Sequence, residues 1–369
     1  MPQQLTTKLI EEKLHLVIKE LTSLQEVDGS EYDALSQTEK EKIGYFSRDF
    51  GMNHWDWPQG VGLFGLSQLG DRFHEYIRAW ADEEIEKGLP IANINTNCPL
   101  LTLMDFPEYE DLCLERVEMI MENFDRTKED GLQHNTTGAT KDTITAYPEL
   151  IWADTIFMTV LFLGKMGIKY NKQEWIEEAI YQVLLHVKYL LDRETGLFYH
   201  AWDFDKSSNF GANFWCRGNS WLTMGLPLFI EIMNDNLPHH TKKHLVHIYQ
   251  NQVDELLKIR DPEELLWHTV LDDPSSYIEA SGSAGILTGI YMGLRAGLLN
   301  GDHYRQSCDD SMVQLINYIN EQGTVEGVSA GTIIGHNKEH YKNIIIKPMA
   351  YGQAMMLCAL VQYLNSRHL

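Results

Sequence analysis

The chain has 369 residues, 44% of them hydrophobic and 11% aromatic, with only 11 prolines, so it can bury a large core and lacks the composition of a disordered protein. Its 30 basic and 53 acidic residues leave a net charge of −23, which excludes nucleic acid or an anionic membrane as the main partner, because both need a basic surface. Five scattered cysteines without a Cys-x-x-Cys pair read as reduced thiols of a cytoplasmic protein, and no run reaches the roughly 18 apolar residues of a membrane span.

In chain order, residues 1–18 scatter leucines around Glu11, Glu12 and Lys13, with Lys19 following, the pattern of an amphipathic helix rather than a signal peptide. An apolar run rich in small residues follows at 60–66, entered through Trp55, Asp56, Trp57 and Gln59. Comparable runs recur at 97–103, 154–160, 219–226, 281–289 and 351–358, each behind a corner of Gly, Asn, Asp or Ser. Between them lie amphipathic stretches such as 110–124, 173–191, 239–258 and 304–319, with apolar residues at three- and four-residue spacing. Buried helices alternating with half-exposed ones imply two concentric layers. The expectation is an all-α (α/α)6 barrel forming one domain over 1–369, since no Pro/Gly/Ser-rich linker interrupts it.

Three segments just ahead of inner runs alternate apolar and polar residues and end in histidine: 131–134, 196–200 and 265–268. They predict short strands, making β-hairpins at one rim, and would carry His134, His200 and His268 there. Structural hydrogen bonding is the alternative role for each of the three.

Asp154 stands out among these corners. It follows Trp152 and heads a run that is apolar on every helical face, where an unpaired carboxylate costs several kcal/mol or more. It is either a helix cap or a free acid. Pro148 favours the second reading, because a helix starting at that proline would place Asp154 beyond the cap.

At least six of the nine tryptophans sit in the corners, among them Trp57, Trp152, Trp215 and Trp221. They either close the apolar core or, with Asn97, His134, His200 and Arg217 interspersed, form a sugar site in which rings stack and polar groups meet hydroxyls. Arg217, between two tryptophans, can grip a carboxylate through two hydrogen bonds or neutralise Asp154 or Asp203. His340 and Lys342 also fall on the rim, without an assigned role.

Several of these segments together resemble glycoside hydrolase family 105, the unsaturated rhamnogalacturonyl hydrolases, and more distantly family 88, the unsaturated glucuronyl hydrolases. The marks are residues 59–61, 147–148 with 152–159, 199–203, 215–221, 276–282 and 327–331. The resemblance implies removal of a 4,5-unsaturated galacturonic acid from a small acidic pectin oligosaccharide by hydration of the C4=C5 bond. It implies that Asp154 protonates C4, that His200 and His134 meet the uronate or the attacking water, that Trp152, Trp215 and Trp221 form the wall, and that Arg217 binds the carboxylate. Trp57 and Asn97 are further candidate substrate contacts. It implies no metal and no organic cofactor, and no Cys–His pair has zinc-ligand spacing. The chain departs from the family pattern in a long 134–147 segment, a short 203–215 loop, and Asn93, Asn95 and Asn97 where relatives place a second acid. That role falls to Asp56 or Asp203 if the chain has one. Unsaturated glucuronyl hydrolysis of glycosaminoglycan or gellan fragments, ordinary glycoside hydrolysis and a non-catalytic sugar-binding toroid are the rival readings. The oligomeric state stays open.

Overall fold

The computed structural model describes residues 5–24 and 30–367. Among them, six helices with almost wholly buried surfaces form an inner ring: Trp57–Ser67, Leu100–Leu103, Leu161–Tyr170 with the π-helical turn Ile156–Val160 before it, Cys216–Met233, Ala280–Arg295 and Ala350–Asn365. Each touches the next, and the sixth returns to the first. Six amphipathic helices, Thr7–Ser23, His74–Glu86, Glu110–Glu122, Gln173–Leu190, His239–Ile259 and Asp302–Leu315, each bury one stripe and keep a wet face. This is the all-α (α/α)6 barrel the sequence pattern called for. The helix expected over 1–18 begins at Thr7, and residues 1–4 of that expectation lie outside the described residues.

Small residues set how closely the inner helices approach. A Cβ on Gly289 would collide with the carbonyl of Thr223, and one on Gly60 would collide with the Cys98–Pro99 backbone. Two inner helices start on buried carboxylates. The Asp56 side chain accepts from Trp57 N at 2.8 Å, and Glu279 accepts from Ser281 N at 3.2 Å and Gly282 N at 2.6 Å. Trp221, fully buried against Phe157 at 5.3 Å, is one of the largest core side chains; such burial contributes on the order of 1.5–3 kcal/mol.

The strands are short and sit where the site is built. β1 (Thr136–Thr137) pairs with β2 (Ile144–Thr145), and β3 (Leu150–Trp152) pairs antiparallel with β4 (Ala201–Asp203). The strands predicted at 131–134, 196–200 and 265–268 are instead isolated bridges, Arg126↔Leu132, Leu191↔Phe198 and His268↔Ile278. Two of the true strands begin just downstream. The helix expected from Pro148 does not form either: Glu149 takes φ 60° and the chain enters β3, because β4 offers the backbone a ladder that local preference could not anticipate. No described helix is long and apolar enough to cross a membrane.

Candidate active site

Strand pairing, rather than helix geometry, positions Asp154. Trp152 lies opposite Ala201, and Ala153 N donates to the His200 carbonyl at 2.9 Å, so the residue that follows β3 lands beside the residue that precedes β4. His200 Nε2 stands 3.7 Å from Asp154 Oδ2. The Asp154 carbonyl accepts the first helical N–H, from Met158, and the π-helical turn begins two residues later; such turns occur frequently at functional sites. The carboxyl caps nothing: its Oδ2 is buried without a hydrogen-bond partner, as are Nε1 of Trp152 and Trp221 and Nε2 of His200. Native proteins leave few such groups, and here they cluster.

Asp154 lines a cavity of about 620 Å³, open mouth included, whose walls carry Trp57, His134, Tyr147, Trp152, Trp215 and Arg217. Burial pushes its pKa up to about 7, against the lowering pull of Arg217, of its own backbone and of the Trp221 indole. Near neutral pH it therefore holds a proton much of the time. His134 stacks on Trp152 at 4.3 Å and 8°, with Nδ1 2.8 Å from Thr155 Oγ1. His200 packs on Trp215 at 4.3 Å and its Nδ1 meets the Tyr341 hydroxyl at 2.9 Å. Burial, then the His186 ring for His134 and the His134 and His340 rings and Arg217 for His200, holds both histidines well below their ordinary pKa, so both are neutral. Neutral rings around a protonated carboxyl make an apolar floor with one transferable proton.

Sequence reasoning missed part of the wall. Phe46, Arg48 and Asp49 come from the 3₁₀ turn Ser47–Asp49 and the residue before it. Asp49 is 1% exposed, with Oδ1 unpartnered, and burial together with nearby Asp56 raises it to about 7 against Arg48 and Arg217. It is the second buried carboxyl of the cavity wall, which also carries the half-buried Glu41. Asp56 and Asp203, the candidates for that role, do other work. Asp56 caps a helix and faces Arg48 at 3.3 Å, while Asp203 binds Lys206 at 2.9 Å and sits outside the cavity wall. The signal in the sequence was slight: an Arg-Asp pair in a stretch without a strong helical period.

Several expected contacts also need correction. Arg217 cannot offer a two-point grip, because Nη1 is bonded to Ser281 and Ser329 and Nη2 to Ala330 and Thr332, which leaves only Nε spare. Its ion partner is Glu279, at 3.7 Å, rather than Asp154 or Asp203. Trp215 and Tyr351 sandwich the guanidinium at 4.6 and 4.7 Å. Asn97 is fully buried and structural, donating to Thr159 Oγ1 and accepting from Arg116; Asn95 lines the cavity instead. His200 and Trp221 lie behind the wall, touching Asp154 rather than the open space. His268 is held by Asp261 and Ser276 away from the cavity. His134 does reach the cavity, and the long 134–147 segment is the β1–β2 hairpin, whose residues 136–138 and 145 form part of the wall. That hairpin and Arg48 separate the site from an adjoining cavity lined by Asn53, His54, Lys87 and Lys141. Among the described residues, no group of His, Cys, Asp and Glu converges in a way that could hold a metal ion.

Comparison with known proteins gives consistent results. The profile of Glycosyl Hydrolase Family 88 matches residues 28–367. The chain is 29% identical over 334 residues to the unsaturated rhamnogalacturonyl hydrolase YesR of Bacillus subtilis, covering 87% of this chain and 92% of that protein. A solved structure from Salmonella enterica, described as a possible member of the GH105 family, superposes with a TM-score of 0.88 at 33% identity, over 100% of this chain and 97% of that one. A second, from Klebsiella pneumoniae and described the same way, gives 0.87 at 32% identity, over 100% of this chain and 96% of that one.

Proposed function

Because the chain belongs to Glycosyl Hydrolase Family 88, we propose that this glycoside hydrolase removes 4,5-unsaturated galacturonic acid from the non-reducing end of lyase-generated rhamnogalacturonan oligosaccharides. The observation that carries the reading is the Asp154 carboxyl: raised to about 7, unpartnered at Oδ2 and exposed by 14% of its side chain to an aromatic cavity. Such an acid suits a carbon base. Asp154 delivers its proton to C4 of the C4=C5 bond, water adds at C5, and the hemiketal opens to a ketone. The hemiacetal left at C1 then expels the aglycone. Trp57, Trp152 and Trp215 line the wall against which the sugar ring would lie, and neutral His200, oriented by Tyr341, positions the carboxyl. His134 faces the cavity as a candidate contact for the uronate or the water, and Arg217 provides fixed positive charge in the wall.

The test follows the ultraviolet band of the conjugated double bond and carboxylate. Wild-type protein is expected to abolish it on lyase-digested rhamnogalacturonan; persistence of the band on every lyase product would sink the proposal. Digests of glycosaminoglycan or gellan, run in parallel, separate this substrate from the glucuronyl alternatives.

Asp49 favours one second reading. Two buried carboxyls in one cavity, Asp154 and Asp49, are also the equipment of ordinary glycoside hydrolysis. Release of a saturated sugar with no change in the ultraviolet would support it. The five buried, unpaired cysteines support a reducing compartment, the cytoplasm, as the place of action.

A further inference from the structure

Two cationic side chains line the cavity, Arg48 and Arg217, and they differ in what remains free. Both terminal nitrogens of Arg217 are tied to protein oxygens, so its spare donor is the single Nε–H. One N–H cannot take a carboxylate in the paired fashion that distinguishes it from a hydroxyl or an ester. Arg48 is arranged the other way round. Its Nε lies at ion-pair distance, 3.3 Å from Asp56 Oδ2 and 3.9 Å from Asp49 Oδ1, without a formed hydrogen bond to either, and its guanidinium sits 4.8 Å from the Phe46 ring. Among the described residues, no protein acceptor takes a hydrogen bond from its Nη1 or Nη2. The Arg48 carbonyl is pinned as well, accepting from Gln59 Nε2 at 2.8 Å. The cation is therefore held along one edge and open along the other, and 84% of its side chain is already out of water, since 16% is exposed.

We propose that Arg48 binds the C6 carboxylate of the unsaturated uronate through Nη1 and Nη2, with Asp56 and Phe46 fixing the guanidinium and Arg217 contributing only charge. The proposal rests on the hydrolase reading above and names the residue that selects its acidic substrate. C6 is attached to C5, next to the C4 carbon that takes the proton. A grip at C6 therefore sets the register of the double bond against Asp154. Arg48 also borders the adjoining cavity, which places the carboxylate at the seam between the two spaces.

The experiment compares unsaturated galacturonyl-rhamnose with its methyl ester on wild-type, Arg48→Gln and Arg48→Lys proteins. Arg48→Gln is expected to raise KM for the acid about 10- to 100-fold and to lower kcat as well, because the double bond loses its register against Asp154. It should lose little further on the ester, which wild type already handles poorly. Arg48→Lys keeps the charge beside Asp56, folds if the glutamine variant does not, and restores only part of the preference, because an ammonium cannot fork. Calorimetric binding of acid and ester to Asp154→Asn protein, with and without Arg48→Lys, gives the same ratio without turnover. An acid-to-ester ratio unchanged by the Arg48 substitutions overturns the grip alone; failure of wild type to remove the ultraviolet band overturns the hydrolase reading, and the binding ratio still decides Arg48.

Discussion

Two walls of the cavity each carry a buried carboxyl raised to about 7, yet they are built differently. The Asp154 wall surrounds its acid with Trp152, Trp221 and the neutral ring of His200, on a strand end locked to β4 and running straight into an inner helix. The Asp49 wall is a 3₁₀ turn in which the acid lies near Arg48 and Asp56. In both, desolvation is the largest cause; in the first Arg217, the backbone and the Trp221 indole oppose it, and in the second Arg48 and Arg217 oppose it while Asp56 adds to it. A similar pKa therefore arises in different surroundings, aromatic and imidazole rings on one wall and charged side chains on the other, and the proposed function assigns proton delivery to the first.

The largest expected effect is on the first wall. Asp154→Asn should lower the rate of ultraviolet loss by roughly 10²- to 10⁴-fold, the usual range for a proton donor, with substrate binding retained by calorimetry. Residual turnover near the wild-type rate would remove Asp154 from the mechanism. Asp49→Asn should cost on the order of tenfold, the equivalent of one charge-assisted hydrogen bond. If instead it matches Asp154→Asn, and saturated sugars prove to be substrates, the two walls act as a glycosidase pair.

Tyr341→Phe releases His200 Nδ1 and should reduce kcat about threefold to tenfold without raising KM in proportion. A pure KM effect would place His200 on the substrate instead of on Asp154. The pH profile sharpens the same point. Since the acid must be protonated, kcat/KM is expected to fall as pH rises through about 7 in wild type and to keep that limb in Tyr341→Phe.

The smallest effect concerns stability. A carboxyl with an ordinary pKa of 3.8 when unfolded and about 7 when folded favours the native state fully below 3.8, and that contribution is lost as pH rises to about 7. Asp154→Asn mimics the neutral form, so it should raise the melting temperature at pH 8 by about 2–4 °C and leave it nearly unchanged at pH 4. An equal gain at both pH values would show that something other than the buried charge is responsible.

Much of this was legible in the chain. The six small-residue runs mapped onto the six inner helices because a helix buried on all sides must be apolar on all sides, whatever its neighbours. Asp154, Trp57, Trp152, Trp215 and His134 were legible as exceptions or rings at the corners of that repeat, and the cavity brings them together. Arg48 and Asp49 were not, because a short 3₁₀ turn has neither a period nor an apolar contrast to mark its polar residues. Arg217 was legible as a wall residue but the occupation of its fork was not, since Ser281, Ser329, Ala330 and Thr332 are 64 to 115 residues away in sequence.

The sequence by itself determined the alternation of buried and half-exposed helices, and with it the barrel, because burial is recorded residue by residue in apolar periodicity. It also placed an acid at one inner corner, either as a helix cap or as a free carboxyl, and the structure decided for the second. Only the tertiary structure decided which polar groups are spent on the protein and which are left for a substrate. Hydrogen-bond partners are chosen by distance in space, and the pairing of β3 with β4, or of Arg48 with Asp56, leaves no trace in local composition.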